Sequence, residues 1–213
     1  MNEQERAEEH LRTIRRLMER ATIYRAISAP TALAGGLLSL AASCFWIANT
    51  PPESDPHYSF LLVWLLVFVL TAGTNTVFLV LDAKNRNEPV FSPSMKAAFK
   101  ALAPPFLVAA ILTLLFAVAA SDPLNEATLS VTWAICYGLG LLATAHFAPR
   151  SLTLLGWGFL ISGLAAVIAV RFSSNHFLAM LDARNTVLFM AWTFGLYHLL
   201  YAVCTWPRAE TGT

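Results

Sequence analysis

Six stretches of about twenty residues, each free of Asp, Glu, Lys and Arg, divide this chain, and no other feature constrains its fold as strongly. They cover 28–48, 60–81, 101–120, 127–147, 152–170 and 186–206. A helix rises 1.5 Å per residue, so about 20 residues cross the roughly 30 Å hydrocarbon core of a bilayer. No water there satisfies backbone groups, which leaves helices and closed barrels as the only crossing structures, and barrel strands are half this length and alternate in polarity. The sequence therefore predicts an all-α polytopic membrane protein. Its expected organisation is a cytoplasmic amphipathic helix over 1–27, a six-transmembrane-helix bundle over 28–206 and a short cytoplasmic tail over 207–213.

Composition agrees: 57% of the 213 residues are hydrophobic and 13% charged, against roughly 25% charged in soluble domains. A net charge of +1 supplies no field to attract nucleic acid, so the expected partners are the lipid bilayer and a protein or second copy of the chain. Orientation follows from Lys and Arg, which resist translocation in short loops. Arg6, Arg12, Arg15, Arg16, Arg20, Arg25, Lys84, Arg86, Lys96, Lys100, Arg150 and Arg208 fall on one side, and Arg171 and Arg184 on the other. Both termini are thereby expected in the cytoplasm. Residues 1–25 are crowded with charges of both signs, unlike a cleavable signal.

Smaller features refine the bundle. Trp46, Trp64, Trp157 and Trp206 lie near span ends, where amphipathic rings favour the interface, while Trp133 and Trp192 lie deeper. Pro104 and Pro105 are expected in the first turn of the third span, where missing N–H donors matter least, so that the helix either starts there or kinks there. Gly35, Ser39 and Ser43 in the first span, and Gly158, Ser162 and Ala166 in the fifth, recur every fourth residue, a spacing that lets helices approach closely within the bundle or in a homodimer. The short connection after Phe147 makes the fourth and fifth spans antiparallel neighbours. Cys44, Cys136 and Cys204 sit in apolar runs without a C-x-x-C pair and read as packing residues. Leu81-Asp82-Ala83-Lys84-Asn85 is echoed by Leu181-Asp182-Ala183-Arg184-Asn185, but one copy follows a span and the other precedes one, which favours coincidence over an inverted repeat.

Residues 3–25 contain no Gly or Pro, and Ala7, Leu11, Ile14, Met18 and Ala21 fall on one helical seam. Acidic first turns and basic later ones complement the helix dipole. The seam, with Arg15 and Arg16 beside it, can lie on anionic headgroups, pack on its own bundle or pair with another chain. It is too short, with alanine at both ends, for an autonomous coiled coil. The run Ile14-Arg15-Arg16-Leu17-Met18-Glu19-Arg20-Ala21-Thr22-Ile23-Tyr24, with Ser28 and Gly35 downstream, resembles a pattern in uncharacterised bacterial multi-pass membrane proteins. The resemblance covers residues 12–36, implies a bacterial inner membrane and carries no activity.

Polar groups inside a span are functional candidates, weighed against a role in linking helices. The second span supplies Thr71, Thr74, Asn75 and Thr76, with Asp82 at its end; Thr71, Asn75 and Asp82 share a face. The fourth ends in His146, and the sixth carries Thr193, Tyr197, His198 and Tyr201. Asn75 and His198 both lie roughly 10–12 Å from the cytoplasmic boundary, so they can pair. His146 lies nearer the surface than His198, which disfavours axial haem ligation, and His57 with His176 makes at most a sparse metal site. No serine-hydrolase, zinc-protease or phosphate-loop pattern is present. No cofactor, metal or catalytic set is implied; His146, His198, Asp82 and Lys100 are the only groups an enzyme reading has to work with. The leading functional expectation is a non-enzymatic membrane component, a sensor, regulator or assembly subunit, acting through its N-terminal helix. The alternative is a small-solute transporter or channel with a polar path near Asn75 and His198.

Overall fold

The computed structural model describes residues 6, 8–10, 29–49, 57–85, 93–118, 125–146, 148–172 and 183–206. Everything regular among them is helical. The apolar runs become α1 (Ala29–Asn49), α2 (His57–Asn85), α3 (Pro93–Val118), α4 (Asn125–Ala143) and α5 (Arg150–Phe172). The sixth run is composite: α6 (Ala183–Met190), a π-helical turn (Ala191–Leu196) and α7 (Tyr197–Thr205). Among the described residues six helical stretches are long and apolar enough to cross a membrane, starting and ending within a few residues of the expected windows in five cases. The chain is an all-α integral membrane protein.

The third span is the exception. Its helix begins at Pro93, two turns before the uncharged window, and carries exposed Lys96 and Lys100 on those turns. Pro104 and Pro105 consequently lie inside the helix rather than in its first turn. Proline is well placed at a helix start, where its absent N–H has no partner to lose, and Pro93 occupies that position instead.

Packing divides the spans unequally. α4 and α5 form the most extensive pair, turning back on each other through a tight connection in which the Ala148 N–H bonds the Thr144 carbonyl at 2.8 Å. A methyl group in place of the Gly138 hydrogen would stand 2.8 Å from the Gly156 carbonyl oxygen, and one on Gly163 would stand 2.5 Å from the Ile135 side chain. Only glycine permits backbones this close. α1 packs on α2, where Gly35 meets Thr71, and on the sixth span, where Gly36 faces Gly195 and Leu199. Gly35, Ser39 and Ser43 are all buried, and Gly158 and Ser162 both meet Tyr197, so these contacts of the two small-residue stripes are made within one chain.

Two buried clusters result. One joins α1, α3, α4, α5 and α7 through Ala32, Ala98, Leu141, Leu152, Phe159 and Tyr201. The other gathers Trp46, Phe60, Trp64, Val187 and Met190, with Trp46 meeting Phe60 edge-on at 5.7 Å. Trp46 and Trp64 are therefore interior residues, 5% and 4% exposed, not interfacial anchors. Their position near span ends is shared with true belt residues, and only packing distinguishes the two. Trp157 and Trp206 are half-exposed. α2 and α3, consecutive in sequence, do not form a packed pair; each reaches the bundle through α4, and α2 also through α1.

Candidate functional site

A polar cluster sits at the junction of α4, α5 and the sixth span. The sixth span bends its register there: the Tyr197 N–H bonds the Trp192 carbonyl, five residues back. In an α-helix residues five apart point about 140° away from each other. The wider π-helical turn instead lets the Trp192 indole N–H donate to the Tyr197 hydroxyl at 3.0 Å. Tyr197 also shares a 2.6 Å hydrogen bond with Ser162 Oγ on α5. Gly195, inside the turn, supplies the close approach to α1, where a methyl would meet Leu40 at 2.7 Å.

His198, the first residue beyond Tyr197, is buried. Its Nδ1 lies 2.9 Å from the Phe194 carbonyl oxygen, and its Nε2 lies 2.9 Å from the Tyr137 hydroxyl of α4. A carbonyl only accepts, so the network assigns the proton to Nδ1; in the neutral ring Nε2 then accepts and Tyr137 donates. Rings close the remaining sides. Tyr137 meets Phe159 edge-on at 4.7 Å, Phe159 meets Phe194 at 4.9 Å, and Phe194 stacks on His198 at 6.3 Å. An imidazole with both nitrogens engaged and aromatic faces around it holds three helices in register.

The other expected residues are dispersed. Thr71 turns its methyl towards Gly35, and its Oγ1 is buried without a hydrogen-bond partner among the described residues. Trp64 Nε1 and Thr186 Oγ1 share that condition. Asn75 is half-buried one turn beyond Thr71, and the groups that hydrogen-bond His198 are the Tyr137 hydroxyl and the Phe194 backbone carbonyl of its own helix, not Asn75. Asp82 is half-buried in the last turns of α2, and Tyr201 is buried in the first core cluster. His146 is exposed in the turn that follows α4, away from the buried His198. Thr74 and Thr76 bond carbonyls of their own helix. Leu11, Ile14, Met18, Arg15 and Arg16 lie outside the described residues, as does His176.

Sequence reasoning missed Tyr137 and Phe194, which complete the His198 environment, and the π-helical turn. The available signal for Tyr137 was a phenol in mid-span, where a hydroxyl needs a partner as much as an amide does. With this geometry in hand, comparison with known proteins adds no name: no family model matches the chain, and no curated protein or solved structure resembles it.

Proposed function

We propose that this protein is a non-enzymatic component of a bacterial inner membrane, a regulator or assembly subunit whose cytoplasmic N-terminal helix makes the contact that matters. The observation that carries this reading is the internal satisfaction of His198. Both ring nitrogens hold partners inside the bundle, and Tyr197 holds two more, so the most suspicious intramembrane groups serve to fasten helices. A solute path through His198 would have to break those bonds. The remaining unspent feature of the sequence is the amphipathic seam of Leu11, Ile14 and Met18, flanked by Arg15 and Arg16. Arg6, Glu8, Glu9 and His10, at its start, are helical and exposed, in keeping with a polar outer face.

The test replaces Leu11, Ile14 and Met18 with Gln in the full chain and compares proteins that co-purify with wild type and variant from the native host. The reading expects insertion and melting of the bundle to be unchanged and a stoichiometric partner to be lost. The same partners on both, or none on either together with solute flux into proteoliposomes that falls in Asn75→Ala and His198→Ala, would overturn it in favour of a transporter.

A further inference from the structure

The seam between α5 and the sixth span holds one donor hydrogen more than its own groups accept. The Trp192 indole N–H donates to the Tyr197 hydroxyl at 3.0 Å, and that hydroxyl shares a 2.6 Å hydrogen bond with Ser162 Oγ. Tyr197 and Ser162 bring one O–H hydrogen each, and the bond between them uses one. These are the only hydrogen bonds of the three side chains among the described residues. A phenol is more acidic than an aliphatic hydroxyl, so the short bond runs from Tyr197 to Ser162, and the arriving indole N–H polarises the phenol in that direction. The chain of donors then ends on the Ser162 hydrogen. Other hydroxyls in the spans place theirs on their own helix: Ser43, Thr74, Thr113, Ser130 and Thr193 each donate to the carbonyl four residues back. Ser162 is turned to Tyr197 instead.

Ser162 lies twelve residues from the start of α5 and ten from its end, or about 18 and 15 Å along the axis. That is the middle of a roughly 30 Å hydrocarbon core, far from the ester carbonyls and phosphates of diacyl lipids at its edges. The seam is open to lipid there. Trp192 is 55% exposed, Ser162 and Tyr197 are half-buried, and Ile161 and Leu200 beside them are exposed. A donor left in hydrocarbon forfeits a hydrogen bond, so its partner is an acceptor that dissolves in the bilayer interior. A second copy of the chain meeting this seam with its own would bring the same surplus hydrogen. A quinone ring offers two carbonyl oxygens and no donor, is planar like the exposed indole, and is carried into hydrocarbon by its apolar tail.

We propose that this seam binds a lipid-soluble quinone, one carbonyl oxygen accepting from the Ser162 and Tyr197 hydroxyl pair and the ring lying against the Trp192 indole. Binding involves no electron transfer, and it does not use the N-terminal helix on which the functional reading above rests.

The experiment places the full chain in phosphatidylcholine nanodiscs and titrates carbonyl-labelled decylubiquinone, with the carbonyl stretch followed by infrared difference spectroscopy and bound quinone counted by native mass spectrometry. Wild type is expected to saturate at one quinone per chain, with one carbonyl band displaced to lower frequency. Ser162→Ala/Trp192→Phe/Tyr197→Phe keeps an aromatic ring at both positions and removes all three donors; it should bind about three- to tenfold more weakly and return the band to the frequency of free quinone. Thr76→Val, which removes a hydroxyl bonded to its own helix elsewhere, should bind as wild type does. Melting without quinone verifies that each variant is folded. In wild type, which needs no substitution, a photoreactive azidoquinone should label the peptides containing Ser162 and Trp192 in preference to those of α3, the span with the barest apolar surface. Unsaturable uptake, an undisplaced band in wild type, equal binding by the triple variant, preferential or equal labelling of α3, or a stable dimer that takes up no quinone would each overturn the proposal.

Discussion

α5 and α3 are apolar helices of similar length, 23 and 26 residues, yet one is clamped inside the bundle and the other is largely bare. α5 buries Leu152, Leu155, Phe159 and Gly163. The most apolar window of α3 contains no buried residue at all. In water the more apolar helix would be the more deeply buried, but lipid removes that drive, and association follows backbone approach and hydrogen bonding. α5 has Gly156, Gly158 and Gly163 and offers Ser162 to Tyr197. α3 has no glycine of its own; it leans chiefly on α4, where Leu102 and Phe106 lie against Gly140 and the Trp133 indole N–H donates to Thr113 at 2.9 Å. Apolarity places a segment in the membrane; small and polar residues decide what it touches there.

That contrast can be broken by matched substitutions. The largest effect is expected at the glycine contact: Gly156→Leu forces apart backbones already in contact and should cost about 3 kcal/mol, whereas Gly73→Leu, facing open space, should stay within about 0.5 kcal/mol. Thermal unfolding in one detergent compares them, and equal losses would erase the distinction. Next comes Phe159→Ala, which empties the centre of the aromatic cluster and should destabilise by about 2 kcal/mol through lost contacts, against little change for Leu107→Ala on the outer face of α3. A smaller effect, about 0.6–1 kcal/mol, is expected for Tyr137→Phe, which keeps the ring and deletes the donor to His198. The double-mutant cycle with His198→Leu should return most of that as coupling, and additive losses would mean the bond contributes nothing. The smallest is Thr76→Val, whose hydroxyl bonds only its own helix; a shift above a few tenths of a kcal/mol would show that α2 has a neighbour at that position.

The spans were legible because bilayer thickness and backbone satisfaction leave a single solution for six uncharged runs. The Phe147 connection and the Gly35, Ser39, Ser43 stripe were legible for similar reasons: chain length and residue size limit what each can do. The third helix begins two turns before its uncharged run because Lys96 and Lys100 ride on helical turns and reach outward, so absence of charge delimits a span without marking where its helix starts. Trp46 and Trp64 were misread because proximity to a span end says nothing of which way a ring turns. The Asn75 and His198 pairing failed for a related reason. Depth along the axis follows from residue counting, but rotation of one helix against another does not, and His198 turns towards α4 rather than α2. The π-helical turn, which carries Tyr197 to Trp192, has no composition of its own to announce it.

The central claim is that His198 is an internally satisfied imidazole that fastens the packed side of the bundle. Solid-state nitrogen NMR of ring-labelled histidine in bilayers, with the His198 signal assigned by its loss in His198→Gln, tests it directly. The account predicts a neutral ring protonated at Nδ1, with an accepting Nε2 whose shift moves in Tyr137→Phe. A ring protonated at Nε2, or one indifferent to Tyr137, would contradict it and return His198 to the list of groups available to a passing solute.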